Sequence, residues 1–259
     1  MAERSGYTPG TFCWADLSTT DVDAAKAFYG TLLGWEAEDL PVDESTVYSM
    51  QRRDGKVVAA IAPQPPQQRE AGVPPLWNSY VWVESADATA QRVEELGGTV
   101  HAPPFDVMEA GRMAVVADPQ GAFFLAWEPR RHRGAELVNA PGALAWNELH
   151  TPDIDAGQRF YGDLFGWTFE PFGEGPEQYF VIRNGDRRNG GVSDAMPEGA
   201  PPHWLTYFGV EDLDAALAQV GELGGGTLAG PIDIGIARIG VVRDPQGAVL
   251  ALYAGRFDD

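Results

Sequence analysis

The chain has 259 residues, 44% of them hydrophobic and 11% aromatic, which is enough for packed cores and too much for a disordered polymer. Thirty-eight acidic against eighteen basic residues give a formal charge of -20, a field that repels phosphate backbones and anionic lipid and argues against nucleic-acid and membrane partners. The lone Cys13 excludes an intrachain disulfide or a multi-cysteine metal site, and the N-terminal Met1–Gly6 has no apolar run, so a cytoplasmic protein is expected.

After a tail over residues 1–9, residues 12–18 are predicted to form a strand in which Cys13 reads as a small buried hydrophobe. Thr20-Asp21 supplies a helix N-cap, and Val22, Ala25, Phe28, Tyr29, Leu32 and Leu33 follow at helical spacing until Gly34 ends the helix. Shorter strands are expected near Val47–Gln51 and Val57–Ala62, then a Pro/Gln-rich connector from Pro63 to Pro75. The order then repeats. A strand over residues 79–83 precedes a helix from Asp87 to Leu96, closed by Gly97-Gly98, and strands are expected near Thr99–Ala102, Met113–Ala117 and Phe123–Trp127. The turn Asp118-Pro119-Gln120-Gly121 joins the last two, its Pro presetting φ and its Gly supplying positive φ. A linker over 129–141 carries Arg130, Arg131, His132 and Arg133, and its expected state is solvated.

The second half restates the first. Trp14-Ala15-Asp16-Leu17 is answered by Trp146-Asn147-Glu148-Leu149, Phe28-Tyr29-Gly30 by Phe160-Tyr161-Gly162, and Asp118-Pro119-Gln120-Gly121 by Asp244-Pro245-Gln246-Gly247. Self-similarity at so long a period means two globular copies, over residues 10–128 and 142–256, each made of two strand–helix–three-strand modules. The fold class is therefore α+β, with four βαβββ modules in tandem.

The helix signature Thr20-Asp21 with Ala24-Ala25, Phe28-Tyr29 and Leu33-Gly34-Trp35, together with Glu95-Leu96-Gly97-Gly98 and the Asp-Pro-Gln-Gly turns, resembles the vicinal oxygen chelate superfamily. That superfamily includes glyoxalase I, bleomycin-resistance proteins and extradiol dioxygenases. The two-domain form, with Trp-x-Glu/Asp-Leu opening each half, is similar to an actinobacterial branch labelled glyoxalase/bleomycin-resistance protein, hydroxylase or 27-kDa antigen. The resemblance implies paired modules whose strands curve around one cup per domain. It also implies, in the metal-dependent members, a divalent ion held by His, Gln or Glu. In this chain the opening ligand position is Trp14 and Trp146, the second-module slot is Asn78 and Leu205, and the closing carboxylate position is Leu125 and Ala251. The remaining slot, Val57–Ala62, holds no ligand, and its counterpart Gly191–Ala195 offers only Asp194. An indole has no lone pair to give a metal, so neither a metal nor another cofactor is expected. A register one residue off would bring Asp16 or His150 into those slots.

Strand side chains alternate faces, so Trp14, Asp16 and Ser18 share a face with Asn78, Tyr80 and Trp82, as do Trp146, Glu148 and His150 with Leu205, Tyr207 and Gly209. The other face, with Ala15, Leu17, Val81, Leu149 and Phe208, is the apolar set expected under the helices. An open cup would be an aromatic pocket with a carboxylate at its floor; the alternative is a cup plugged by its own Trp and Tyr rings. Asp16 and Glu148 are the candidate acid–base groups, with His150 as a possible base beside Glu148. Trp14, Asn78, Tyr80, Trp82, Trp146, His203 and Tyr207 are candidate ligand contacts. Arg112 and Arg238, six residues before each Asp-Pro, are candidate partners for the carboxylates or for an anionic ligand. His150 and His203 have no counterpart in the first half, where Ser18 and Leu76 stand, which marks the second domain as the more specialised.

The leading expectation is a metal-independent protein that binds an aromatic or hydrophobic small molecule, in a resistance or sequestration role, as a monomer or weak homodimer. The alternatives are a glyoxalase-like lyase or isomerase, or a ring-modifying enzyme, using Asp16 or Glu148 on a carbonyl or aromatic metabolite, and a non-catalytic interaction protein with plugged cups.

Overall fold

The computed structural model describes residues 2–43, 46–173 and 179–257. A short strand β1 (Ala2–Glu3) precedes the first module, which is β2 (Phe12–Thr19), α1 (Val22–Leu33), β3 (Glu36–Pro41), β4 (Val47–Arg53) and β5 (Lys56–Pro63). A one-turn helix α2 (Pro66–Glu70) interrupts the connector. The second module is β6 (Leu76–Trp82), α3 (Ala86–Glu95), β7 (Thr99–Val107), β8 (Gly111–Ala117) and β9 (Phe123–Pro129). A second short strand, β10 (Leu137–Val138), opens the other half. There the third module is β11 (Leu144–His150), α4 (Ile154–Phe165), β12 (Thr168–Pro171), β13 (Tyr179–Asn184) and β14 (Arg187–Ser193). The fourth is β15 (His203–Gly209), α5 (Leu213–Glu222), β16 (Gly226–Asp233), β17 (Ala237–Arg243) and β18 (Val249–Gly255).

Each domain is one curved sheet, ordered β3-β4-β5-β2-β6-β9-β8-β7 in the first and β12-β13-β14-β11-β15-β18-β17-β16 in the second. The opening strands β2 and β6, and likewise β11 and β15, pair antiparallel at the centre, so every cup is built symmetrically about its two modules. The edge strand β7 runs on to Val107, past the expected end at Ala102, because Pro103 and Pro104 cost nothing where one side of a strand faces solvent; the ladder shifts register there instead.

The helices start where the sequence provides caps. Asp21 and Asp153 accept from the amides of Ala24 and Ala156 at 3.0 and 2.9 Å, each cap contributing about 1 kcal/mol. At the other end of α1, Gly34 takes the left-handed conformation at φ 68°, which a side chain would disfavour. The apolar faces under the helices are buried as expected: Ala15, Leu17, Leu149 and Phe208 are all closed to solvent. These backs of the two sheets meet each other, with Ser79 Oγ donating to Asn147 Oδ1 at 2.7 Å at the seam.

The duplicated turns clasp the two halves. Trp77 Nε1 donates to Tyr29 Oη at 3.1 Å, and that hydroxyl donates to Asp244 Oδ2 at 2.9 Å. The mirror-image chain runs from Trp204 Nε1 to Tyr161 Oη to Asp118 Oδ2 at 2.9 and 3.2 Å. Oδ1 of each Asp holds the amides of its own turn, so one carboxylate shapes the turn and binds the other domain. The segment 129–141 is not solvated throughout. Ala135, Leu137, Val138 and Ala140 are buried, and β10 lies between β1 and β11 in the second sheet. Among the described residues no helix is long and apolar enough to cross a membrane.

Candidate functional site

The central strands place the same framework in both cups. Pairing of Asp16 with Asn78 and of Trp14 with Tyr80 sets Trp14, Asp16, Asn78 and Tyr80 on the concave face of the first sheet. Pairing of Glu148 with Leu205 and of Trp146 with Tyr207 does the same in the second. A tyrosine that the sequence reading did not select joins each set from the next hairpin, Tyr48 on β4 and Tyr179 on β13. Trp14 Nε1 donates to Tyr48 Oη at 3.0 Å, and Trp146 Nε1 donates to Tyr179 Oη at 2.9 Å. Both tyrosines lie against the cup carboxylate.

The first cup is covered over Trp14 and Asp16. Asp16 accepts from Asn78 at 2.8 Å, Tyr80 at 2.6 Å and Tyr48 at 2.9 Å, so both of its oxygens are held by protein donors. Burial holds this carboxyl above the usual range, and the three hydrogen bonds pull against that shift. Above it sits the linker. The His132 ring stands edge-on to Trp14 at 4.4 Å between centroids, with Trp127 at 5.7 Å, and its backbone carbonyl accepts from Trp127 Nε1 at 3.1 Å. Burial pushes the His132 imidazole down to about 4. Beside it Tyr7 packs on Trp82, whose ring also lies under the Arg133 guanidinium. Trp14 is 1% exposed and Trp127 3%. Trp14, Tyr80 and Trp82, expected to contact a ligand here, are therefore buried beneath this cover together with Asp16.

The second cup is open. Trp146, Tyr179, Tyr207, Ile239, Val241 and Tyr253 line a cavity floored by Glu148 and His150. Where Leu125 and Trp127 fill the first cup, the smaller Ala251 and Tyr253 stand. Tyr207 Oη donates to Glu148 Oε2 at 2.9 Å. His150 Nε2 lies 3.0 Å from Glu148 Oε1, close enough to pair with it although poorly aligned as a hydrogen bond. His150 Nδ1 is 2.8 Å from the Ala195 carbonyl oxygen. Both ring nitrogens thus face oxygens, an arrangement that favours the imidazolium form of His150 against Glu148. Burial alone would lower its pKa; the Glu148 contact and the Ala195 carbonyl outweigh that and raise it. His203 stacks flat on this ring at 5.0 Å and 5°. Burial, together with the imidazolium beneath it, keeps His203 below the ordinary histidine range despite help from Pro201 and Glu148, so it is neutral.

Glu148, His150, His203, Trp146 and Tyr207 are therefore brought together on one cavity, whereas Arg112 and Arg238 are turned to the helices. Arg112 alternates with the cup-facing Met113 and binds Asp87 on α3 at 2.6 and 2.9 Å. Arg238 binds Asp214 on α5 in the same way. These pairs tie the edge of each sheet to its helix. Asn78 serves Asp16 rather than a ligand. The donors do not fit a divalent-metal centre: Trp146, Leu205 and Ala251 offer no ligating atom, and among the described residues no group of three His, Cys, Asp or Glu side chains is placed to hold a metal ion.

The sequence profile of the glyoxalase/bleomycin resistance protein/dioxygenase superfamily matches residues 11–124 and 143–252. The mycobacterial protein CFP32 of Mycobacterium bovis, named as a glyoxylase, is 44% identical over 97% of both chains. The anthracycline biosynthesis protein DauV of Streptomyces sp. (strain C5) is 36% identical over 93% of this chain and 92% of its own. Among solved structures, the Mn(II)-bound glyoxalase of Novosphingobium aromaticivorans superposes with a TM-score of 0.65 at 16% identity, covering 97% of this chain and 85% of the other. The 2,3-dioxygenase LapB of Pseudomonas sp. KL28 gives 0.64 at 15% identity over 97% and 94%.

Proposed function

The chain belongs to the glyoxalase/bleomycin resistance protein/dioxygenase superfamily, and on that footing we propose that its second domain binds a planar aromatic or hydrophobic small molecule without a metal, one per chain. The observation that carries this reading is the contrast between the cups. The same Trp–carboxylate–Tyr framework is covered by His132 in one and lines an open aromatic cavity in the other. Rings that bury large area and stack give affinity, and a few fixed polar groups give orientation. The relative named for anthracycline biosynthesis supports a fused-ring ligand, since anthracyclines are fused-ring compounds.

Titration of the tryptophan emission with neutral fused-ring aromatics tests it. Saturable binding of about one equivalent is expected, unchanged by EDTA and lost in Val241→Trp, which fills the cavity from β17. Binding that Val241→Trp leaves intact would place the ligand elsewhere.

The Glu148–His150 couple favours a second reading, in which the same cup moves a proton on its ligand. CFP32, named as a glyoxylase, is in keeping with that. Glu148 rather than Asp16 would then carry the chemistry, and turnover of a hemithioacetal by wild type but not Glu148→Gln would establish it.

A further inference from the structure

We infer that the second cup selects ligands bearing a hydroxyl or N–H at the ring edge, through His203 acting as a hydrogen-bond acceptor; this rests on the binding reading above. At the floor, Glu148 faces Tyr207, Tyr179 and His150. His150 has committed Nδ1 to Ala195, and its Nε2 lies 3.0 Å from Glu148 Oε1, buried out of a ligand's reach. Trp146 has given its only hydrogen to Tyr179. None of these has a hydrogen left for a ligand.

His203 differs from all of them. Its Nδ1 lies 2.9 Å from the Pro201 carbonyl oxygen, so Nδ1 carries the hydrogen and Nε2 keeps its lone pair. The ring lies on the wall of the cavity, stacked on an imidazolium that opposes any second charge. A neutral imidazole so placed accepts one hydrogen bond and donates none. A ligand that brings a donor to it completes the set, while one that brings an ether or carbonyl there leaves two lone pairs facing each other. Leaving a desolvated acceptor unpaired costs enough to separate such ligands about tenfold or more in affinity. The first cup carries Leu76 at the corresponding position, a side chain with no hydrogen-bonding atom, so this recognition belongs to the second domain.

The test compares 2-naphthol with 2-methoxynaphthalene, which share the ring and differ in the donor. Wild type is expected to bind 2-naphthol about tenfold more tightly or better, and His203→Leu, the residue the first domain uses, to bind both probes alike. A second measurement needs no variant. The 15N signals of His203 should report the Nδ1–H tautomer, and its Nε2 signal should move on adding 2-naphthol but not the methyl ether. Equal affinity of wild type for the two probes, or a preference that survives His203→Leu, overturns the acceptor inference while leaving the cup a binding site. Absence of saturable binding by either probe overturns the cup reading and this inference with it.

Discussion

Acidification should unseat the linker from the first cup, and the size of the effect follows from one histidine. His132 titrates near 6.5 when exposed and near 4 in the folded chain, because its ring is buried between Trp14 and Trp127 with no hydrogen-bond partner for Nε2. Between those two values the unfolded chain binds a proton that the folded chain refuses. Stability therefore rises with pH across that window and falls as pH is lowered through it. About 1.4 kcal/mol per pKa unit over a gap of about 2.5 units gives roughly 3 kcal/mol, lost progressively below pH 6.5 and complete near pH 4. Carboxylates titrate in the same range, so the comparison must cancel them. His132→Phe keeps an aromatic ring in the slot and removes the titration. Urea denaturation of both proteins from pH 7 to pH 4 should show wild type losing about 3 kcal/mol more than the variant, with Trp14 and Trp127 emission shifting to the red as the cover loosens. Parallel pH profiles would refute the reasoning, because His132 would then be as free to protonate in the folded chain as in the unfolded one.

Glu148→Gln should lower the pKa of His150, since burial is then opposed only by the Ala195 carbonyl; an unchanged NMR titration midpoint would show that the carboxylate does not hold the proton. Tyr29→Phe should cost about 1–3 kcal/mol in denaturant melts, because it strands Trp77 Nε1 and one lone pair of Asp244 inside the domain interface. Probe binding in the second cup should be untouched by that change, and a loss of binding without loss of stability would contradict the assignment of Tyr29 to the clasp.

Much of the architecture was legible because the chain states it twice. The duplicated helix signatures and turns fixed four modules, and the period-two alternation placed Trp14, Asp16, Trp146 and Glu148 on the concave faces where the structure has them. What alternation could not show was which concave face is covered. The cover of the first cup comes from residues 7 and 132–133, remote in sequence and without periodic pattern, so His132 read as a solvated linker residue. Tyr48 and Tyr179 were available as a matched pair but stand in short hairpin strands whose register the sequence left open. The two arginines misled for an instructive reason. Recurrence in both halves marks what both halves share, and here that is an ion pair to the helix; Asp87 and Asp214 recur alongside Arg112 and Arg238 and carried the same information.

That asymmetry between shared and unshared residues also orders the function. The Trp–carboxylate–Tyr–Tyr set occurs in both cups, including the one where it is covered, so it belongs to the common scaffold. On the proposed binding reading, specificity resides in what differs. Passing from the first cup to the second, Leu125 becomes Ala251 and Trp127 becomes Tyr253, which removes bulk, while Ser18 becomes His150 and Leu76 becomes His203, which adds a stacked imidazole pair at the floor. Asn78 becomes Leu205, withdrawing the amide that satisfies Asp16 and leaving Glu148 Oε1 for His150. Each change taken alone is compatible with drift in a core. Together they bring a stacked imidazole pair and Glu148 onto one cavity, the set on which the proposed binding rests, at a cost to the core, since buried polar groups stabilise it less well than the apolar side chains they replace.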